Sequence, residues 1–201
     1  MTRPGGSRPG RRPRTVPWAA ALAALLLAAA GDAPPLVPTR DADVVYDLPT
    51  GQPGPGGALP QERLRWDAAT HRMRVDPPGD RLYMITDYTT HRIAVVKVAD
   101  RTVIDAAAPA ASLAGPPAAP YRRQGTDTVA GTACTDWATL DTEGHAVVIC
   151  ATAEGVVLRV RRDGRVVLAA RRVSFARADE TVFEVPANYR HIEATQPAGR
   201  P

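Results

Sequence analysis

Few side chains in this chain have the reach to do chemistry. Cys134 and Cys150 are its only cysteines, and His71, His91, His145 and His191 its only histidines. Two thiols can form a disulfide, act as a redox couple or bind metal. A redox couple wants a lowered thiol pKa, as in Cys-x-x-Cys at a helix start, and nothing of that kind is present. Zinc wants four ligands at recurring short spacings, and the histidines are scattered. Asp87-Tyr-Thr-Thr-His91 would suit acid–base or metal chemistry on a helix. Between two apolar runs, Asp and Thr are ordinary turn formers. Glu62, Asp67 and Asp76 fall on strand positions that a solvated face explains. The chain has no Gly-x-Ser-x-Gly, phosphate loop, dinucleotide fingerprint or His-Glu-x-x-His. Its serines are Ser7, Ser112 and Ser174 alone. No catalytic set, no metal set and no cofactor emerge, and the expectation is a non-enzymatic protein.

The cysteines do carry structural information. Asp141-Thr-Glu-Gly144 has Asp to begin a turn and Gly to take a positive φ at its end. Folding the chain about Thr142 sets Cys134 opposite Cys150. Ala133, Thr135 and Trp137 then face Ala151, Ile149 and Val147. Thr132, Cys134, Asp136 and Ala138 face Thr152, Cys150, Val148 and Ala146. Trp137 would lie on the apolar face and a Cys134–Cys150 disulfide on the more polar one. Such a bond implies an oxidising compartment.

The N-terminus points the same way. Arg3, Arg8, Arg11, Arg12 and Arg14 precede every acidic residue, Trp18 to Ala30 is mostly Ala and Leu, and Ala28-Ala29-Ala30 fits a small-residue cleavage site. That is the pattern of a secretory signal peptide over residues 1–30. The apolar run is short of the ~20 residues a membrane span needs, so no transmembrane span is expected after cleavage. Removing five of the 25 basic residues leaves 20 against 21 acidic. The basic pI belongs to the leader, and a nucleic-acid partner is not implied. The expected location is periplasmic or secreted.

The elements that position these residues are short strands. Residues 31–41 are Pro-rich and expected as a flexible linker. A single domain is expected over 42–192, with a disordered tail over 193–201. Val44 to Leu48 opens the domain as a strand. Arg63–Asp67 and Arg72–Asp76 form a hairpin. Leu82–Asp87, Arg92–Val98 and Arg101–Asp105 form a meander. Ile93 and Val95 point one way and Val96 and Val98 the other, so this strand is buried on both faces and central in its sheet. Ala106–Pro120 holds too many prolines for a long helix, with a short turn possible at Ala110–Leu113. Further strands follow at Thr128–Gly131, through the cysteine hairpin, at Val156–Arg161 and at Val166–Phe175. Asp163-Gly164 supplies a strong hairpin turn. Val182–Val185 is expected as the last strand. The fold class is mainly β, an antiparallel curved sheet or half-barrel with little helix.

Arg159, Arg161 and Arg171 would share a face as a basic stripe, for which a solubilising role suffices. The apolar-on-both-faces strands suggest a curved sheet whose second face lines a cavity. Met84, Ile93, Val95, Val156 and Leu158 are the candidate lining residues.

Four motifs in order carry a resemblance. They are Arg72-Met-Arg-Val-Asp76, Tyr83-Met-Ile-Thr-Asp87, Val129-Ala-Gly-Thr-Ala-Cys134 and Phe183-Glu-Val-Pro-Ala-Asn-Tyr189. The order resembles an uncharacterised family of bacterial secreted proteins that looks like the LolA/LolB lipoprotein-carrier superfamily. The resemblance spans about residues 42–192. It implies an incomplete antiparallel barrel round an apolar cavity. The partner expected is a lipid or other apolar ligand, or an envelope protein. The alternative is a structural or protein-interaction module with a filled core and no ligand.

Overall fold

A computed structural model describes residues 33–108 and 119–194. The signal-peptide expectation, the turn at Ala110–Leu113 and residues 195–201 of the expected tail lie outside them.

Twelve strands form one sheet: β1 Ala42–Asp47, β2 Gln61–Asp67, β3 Arg72–Asp76, β4 Leu82–Asp87, β5 Arg92–Lys97, β6 Thr102–Ala107, β7 Arg122–Val129, β8 Thr132–Leu140, β9 Ala146–Ala151, β10 Val157–Arg162, β11 Arg165–Ser174 and β12 Arg190–Glu193. Their spatial order is β12-β6-β5-β4-β3-β2-β1-β11-β10-β9-β8-β7. Every pairing is antiparallel except β12 on β6. The sheet is curved and does not close into a barrel.

Two meanders, β1–β6 and β7–β11, join where β1 pairs with β11. Hairpin turns enforce the first meander. Asp67 accepts hydrogen bonds from the Ala69 and Thr70 amides and the Thr70 hydroxyl. Asp87 does the same for the Thr89 and Thr90 amides. The residues closing the two turns, His71 and His91, both take φ of 53°. Asp-x-x-Thr-His thus recurs as one turn design, with Asp87 capping and His91 closing the second turn. The second meander is bent by irregularities near Gln124, Leu158 and Arg171, where strand registers shift. Bulges sharpen local twist, and β7 comes round to touch β11.

Register assigns the two faces. Val44, Leu64, Val75 and Met84 align across β1–β4 on the inner face, and Leu168, Val160, Ile149 and Trp137 continue it across β11–β8. The outer face of β1–β4 carries an ionic ladder: Arg63–Asp43, Arg65–Asp76, Arg74–Asp76 and Arg72–Asp87. Over β5 and β6 the outer face turns apolar, and Ala94, Val96 and Val103 are covered by Val185 and Tyr189. As expected, β5 lies between two strands, with Ala94 and Val96 buried on one side and Ile93 and Val95 half-buried on the other.

Three expectations are corrected. Val182–Val185 is not a strand, because Glu180–Phe183 is a 3-10 turn whose cap, Asp179, accepts from the Thr181 amide. It leads a segment that crosses the outer face, where Arg74 donates to the Val182 carbonyl and Phe183 is buried. Arg190–Glu193 is a strand instead, and the Ala194 amide bonds the Asp105 carbonyl, so the chain is ordered past 192. Residues 33–41, expected to be loose, are docked. The Thr39 amide reaches the Glu154 carbonyl, and Asp41 accepts from the Ala68 and Ala178 amides.

The disulfide forms, with Cα atoms 5.4 Å apart, but the register differs from expectation. Asp136 faces Cys150, Trp137 faces Ile149 and Leu140 faces Ala146. The turn takes in His145 because the Asp141 carboxylate accepts from both the Glu143 and His145 amides. The hairpin is thereby slipped by two residues and the cysteines are diagonal neighbours. An even slip preserves faces, so Trp137 still points away from the sulfurs. The disulfide lies, as expected, on the more polar face, beside Asp127, Asp136 and Arg159, but the cysteines themselves are buried. Cys134 and Cys150 sit in the main core with Val44, Trp66 and Leu158, and Trp137 packs in a smaller cluster with Ile149 and Ala151.

Candidate functional site

The inner face is apolar and concave, and it leaves a space of about 340 Å³. Tyr46, Glu62, Leu64, Met73, Val75 and Met84 line it from β1–β4; Ile149, Val157, Val160 and Leu168 line it from β9–β11. Side chains from both sides of the β1–β11 junction converge there, as curvature toward that face requires. Leu36, Pro38, Gly155 and Val156 complete the wall. The volume lies within the range of small-ligand sites.

Gly155 holds the last part of the wall in place. Its φ is +95°, and a Cβ there would collide with the Val37 carbonyl. Only glycine lets the 36–38 segment lie this close. The Val156 amide donates to the Thr152 hydroxyl inside the protein. Tyr46 donates its hydroxyl to the Val157 carbonyl at 2.7 Å, tying the two halves of the sheet across the cavity. Burial pushes that phenol far above its ordinary pKa, so it remains a donor.

Of the expected lining residues, Met84 and Val156 line this cavity. Val95 and Ile93 lie on the same face, Val95 opposite Met84 and Ile93 opposite Thr86, but outside its wall. Leu158 is fully buried in the core and is not part of this wall. Leu36, Tyr46 and Glu62 were not foreseen. Glu62 was assigned to a solvated face, yet it stands directly opposite Tyr46 on the inner face. Burial raises its carboxyl above the ordinary range. Among the described residues its side chain makes no hydrogen bond or ion pair. Asp67 and Asp76 also leave the solvated-face reading. Asp67 is buried and caps a turn, and Asp76 joins Arg65 to Arg74.

Of the expected basic stripe, Arg159 pairs with Asp127 and Asp136 and Arg161 with Asp136, while Arg171 stays largely exposed with Asp47 3.8 Å away. A second cleft, of about 500 Å³, lies between the outer face and the 183–185 segment. Arg72, Asp87, Arg92 and Asp105 in its wall are paired, through Arg72–Asp87, Arg92–Glu193 and His191–Asp105, and Glu184 has no ion pair among the described residues. No group of three His, Cys, Asp or Glu among the described residues could hold a metal ion. No helix among them is long and apolar enough to cross a membrane.

The fold is shared with solved structures. An uncharacterised conserved protein from Thermus thermophilus superposes with a TM-score of 0.56 at 9% identity, over 78% of this chain and 91% of that one. The Pseudomonas aeruginosa MucA/MucB complex supplies a second match, TM-score 0.52 at 14% identity, over 78% and 59%. PNGF-II supplies a third, TM-score 0.51 at 11% identity, over 77% and 31%. The chain thus spans about three fifths of the MucA/MucB match and under a third of PNGF-II. No protein-family model and no curated protein matches the sequence. The MucB likeness supports the LolA-like fold that the motif order implied.

Proposed function

We propose that this protein is a non-enzymatic binding protein of the bacterial envelope, secreted or periplasmic, that takes an apolar chain into its inner cavity. The cavity carries the reading. Ten strand side chains converge on it, nearly all apolar, and a glycine-dependent wall closes one side. A buried disulfide supports an oxidising compartment.

The test is mass spectrometry of lipid extracted from protein purified from a periplasmic fraction. A stoichiometric apolar species, lost when Met84→Trp fills the cavity, is the expected result. No bound species in protein that is correctly folded would remove the reading. A match within a complex of two proteins, MucA and MucB, supports the runner-up, a protein-interaction module. That reading predicts capture of a protein partner by the Met84→Trp variant as well as by the parent chain.

A further inference from the structure

Glu62 is the cavity's single formal charge. Every other lining side chain is apolar or, like Tyr46, already committed to a hydrogen bond. The wall contains no Lys, Arg or His. Glu62 is half-buried, so its carboxylate is partly withdrawn from water at an apolar wall that offers it no cation or donor. The neighbouring arginines offer none: Arg63 and Arg65 are on the outer face and bonded to Asp43 and Asp76. The contrast within one strand is informative. The charged side chains Arg63, Arg65 and Asp67 all have partners, and among the strand's charged side chains Glu62 alone has none among the described residues.

We infer that the cavity selects single-chain amphiphiles whose head carries a primary ammonium, the chain lying among Leu64, Val75, Met84 and Leu168 and the ammonium donating to Glu62. This deepens the proposed function and rests on it. An ammonium has three donors and a positive charge, which suit a carboxylate with free lone pairs. A carboxylate, sulfate or phosphate head would meet Glu62 with like charge and no basic residue to offset it. The inference therefore excludes the anionic heads that an apolar cavity alone would tolerate.

The experiment is competition against a neutral apolar fluorophore, N-phenyl-1-naphthylamine, in the full chain and in Glu62→Gln. The competitors are dodecylammonium, dodecanol and dodecanoate, each below its micelle concentration. The expected result is that dodecylammonium competes about ten-fold better than dodecanol, with dodecanoate weakest, since a charge-assisted hydrogen bond carries a difference of that order. Glu62→Gln, shown to be folded by its circular dichroism and urea midpoint, should abolish the ranking when each competitor is referred to that variant's own fluorophore affinity. Equal competition by all three, or a ranking that persists in Glu62→Gln, overturns the head-group selection while leaving the cavity reading intact. No fluorophore binding to the parent chain removes both. Displacement by an apolar lysine-bearing peptide but by none of the amphiphiles would overturn the inference in favour of a protein partner.

Discussion

Cys134–Cys150 clamps β8 to β9 inside the core, with the sulfur-bearing residues 4% and 0% exposed. Closing a loop of this length contributes about 3 kcal/mol in the chain-entropy model. Replacing both cysteines with alanine should lower urea stability by about that amount, and reductant should have no effect on the double variant. Stability unchanged by the double replacement would refute the clamp. Gly155→Ala places a Cβ against the Val37 carbonyl in a left-handed backbone. It should cost about 1–3 kcal/mol, raise amide exchange at Thr39, and weaken fluorophore binding more than a substitution at solvent-exposed Gly164. Glu62 shows how far residue types mislead. Strand parity from Leu64 and Trp66 puts it on the inner face, but its charge argued for solvent. Parity was the better guide.

At the scale of elements, pH separates two kinds of contact. Hydrogen bonding from Arg63 holds Asp43 below the usual carboxylate range. Burial works against the Asp76 charge, but the Arg74 and Arg65 guanidiniums outweigh it and hold that carboxyl low as well. A depressed folded pKa contributes stability above the unfolded pKa and loses it as pH falls through the folded value. Urea midpoints should therefore hold steady above about pH 5 and fall below about pH 4, and Asp76→Asn should flatten the fall. His191 works in the opposite sense. Its hydrogen bond to Asp105 raises its pKa above 6.5. That contribution is complete below the unfolded pKa and is lost as pH rises through the folded value. Amide exchange of β12 relative to β6, corrected for intrinsic rates, should accelerate across that window, and His191→Gln should remove the step.

The hairpins of the first meander were legible because Asp and Thr at turn starts and alternating apolar residues agree with one another. β3 and β4 were read with their observed ends. The last elements were not legible. Val182–Val185 is apolar because it covers the outer face with Phe183 and Val185, not because it pairs. Arg190-His-Ile-Glu193 is polar yet pairs in parallel with β6, a non-local contact that carries little local signal. The cysteine register depended on a side chain, Asp141, recruiting one more residue to its turn.

For the whole molecule, a single twelve-stranded sheet must bury two faces without an α-helix among its described residues. It does so by curvature and the 33–41 segment on the inner side and by the 180–189 segment on the outer. This solution leaves the inner cavity partly unfilled. The cavity was expected from the apolar faces of β4 and β5, but its true centre lies nearer β1–β3 and β10–β11. Curvature is set by bulges, and hydrophobic patterning does not reveal them. The central claim is that this space binds an apolar group. Titration of the purified, oxidised chain with N-phenyl-1-naphthylamine tests it most directly, with Met84→Trp alongside. Saturable one-to-one binding that Met84→Trp abolishes is the predicted result; no saturable binding, or binding indifferent to Met84→Trp, would contradict it.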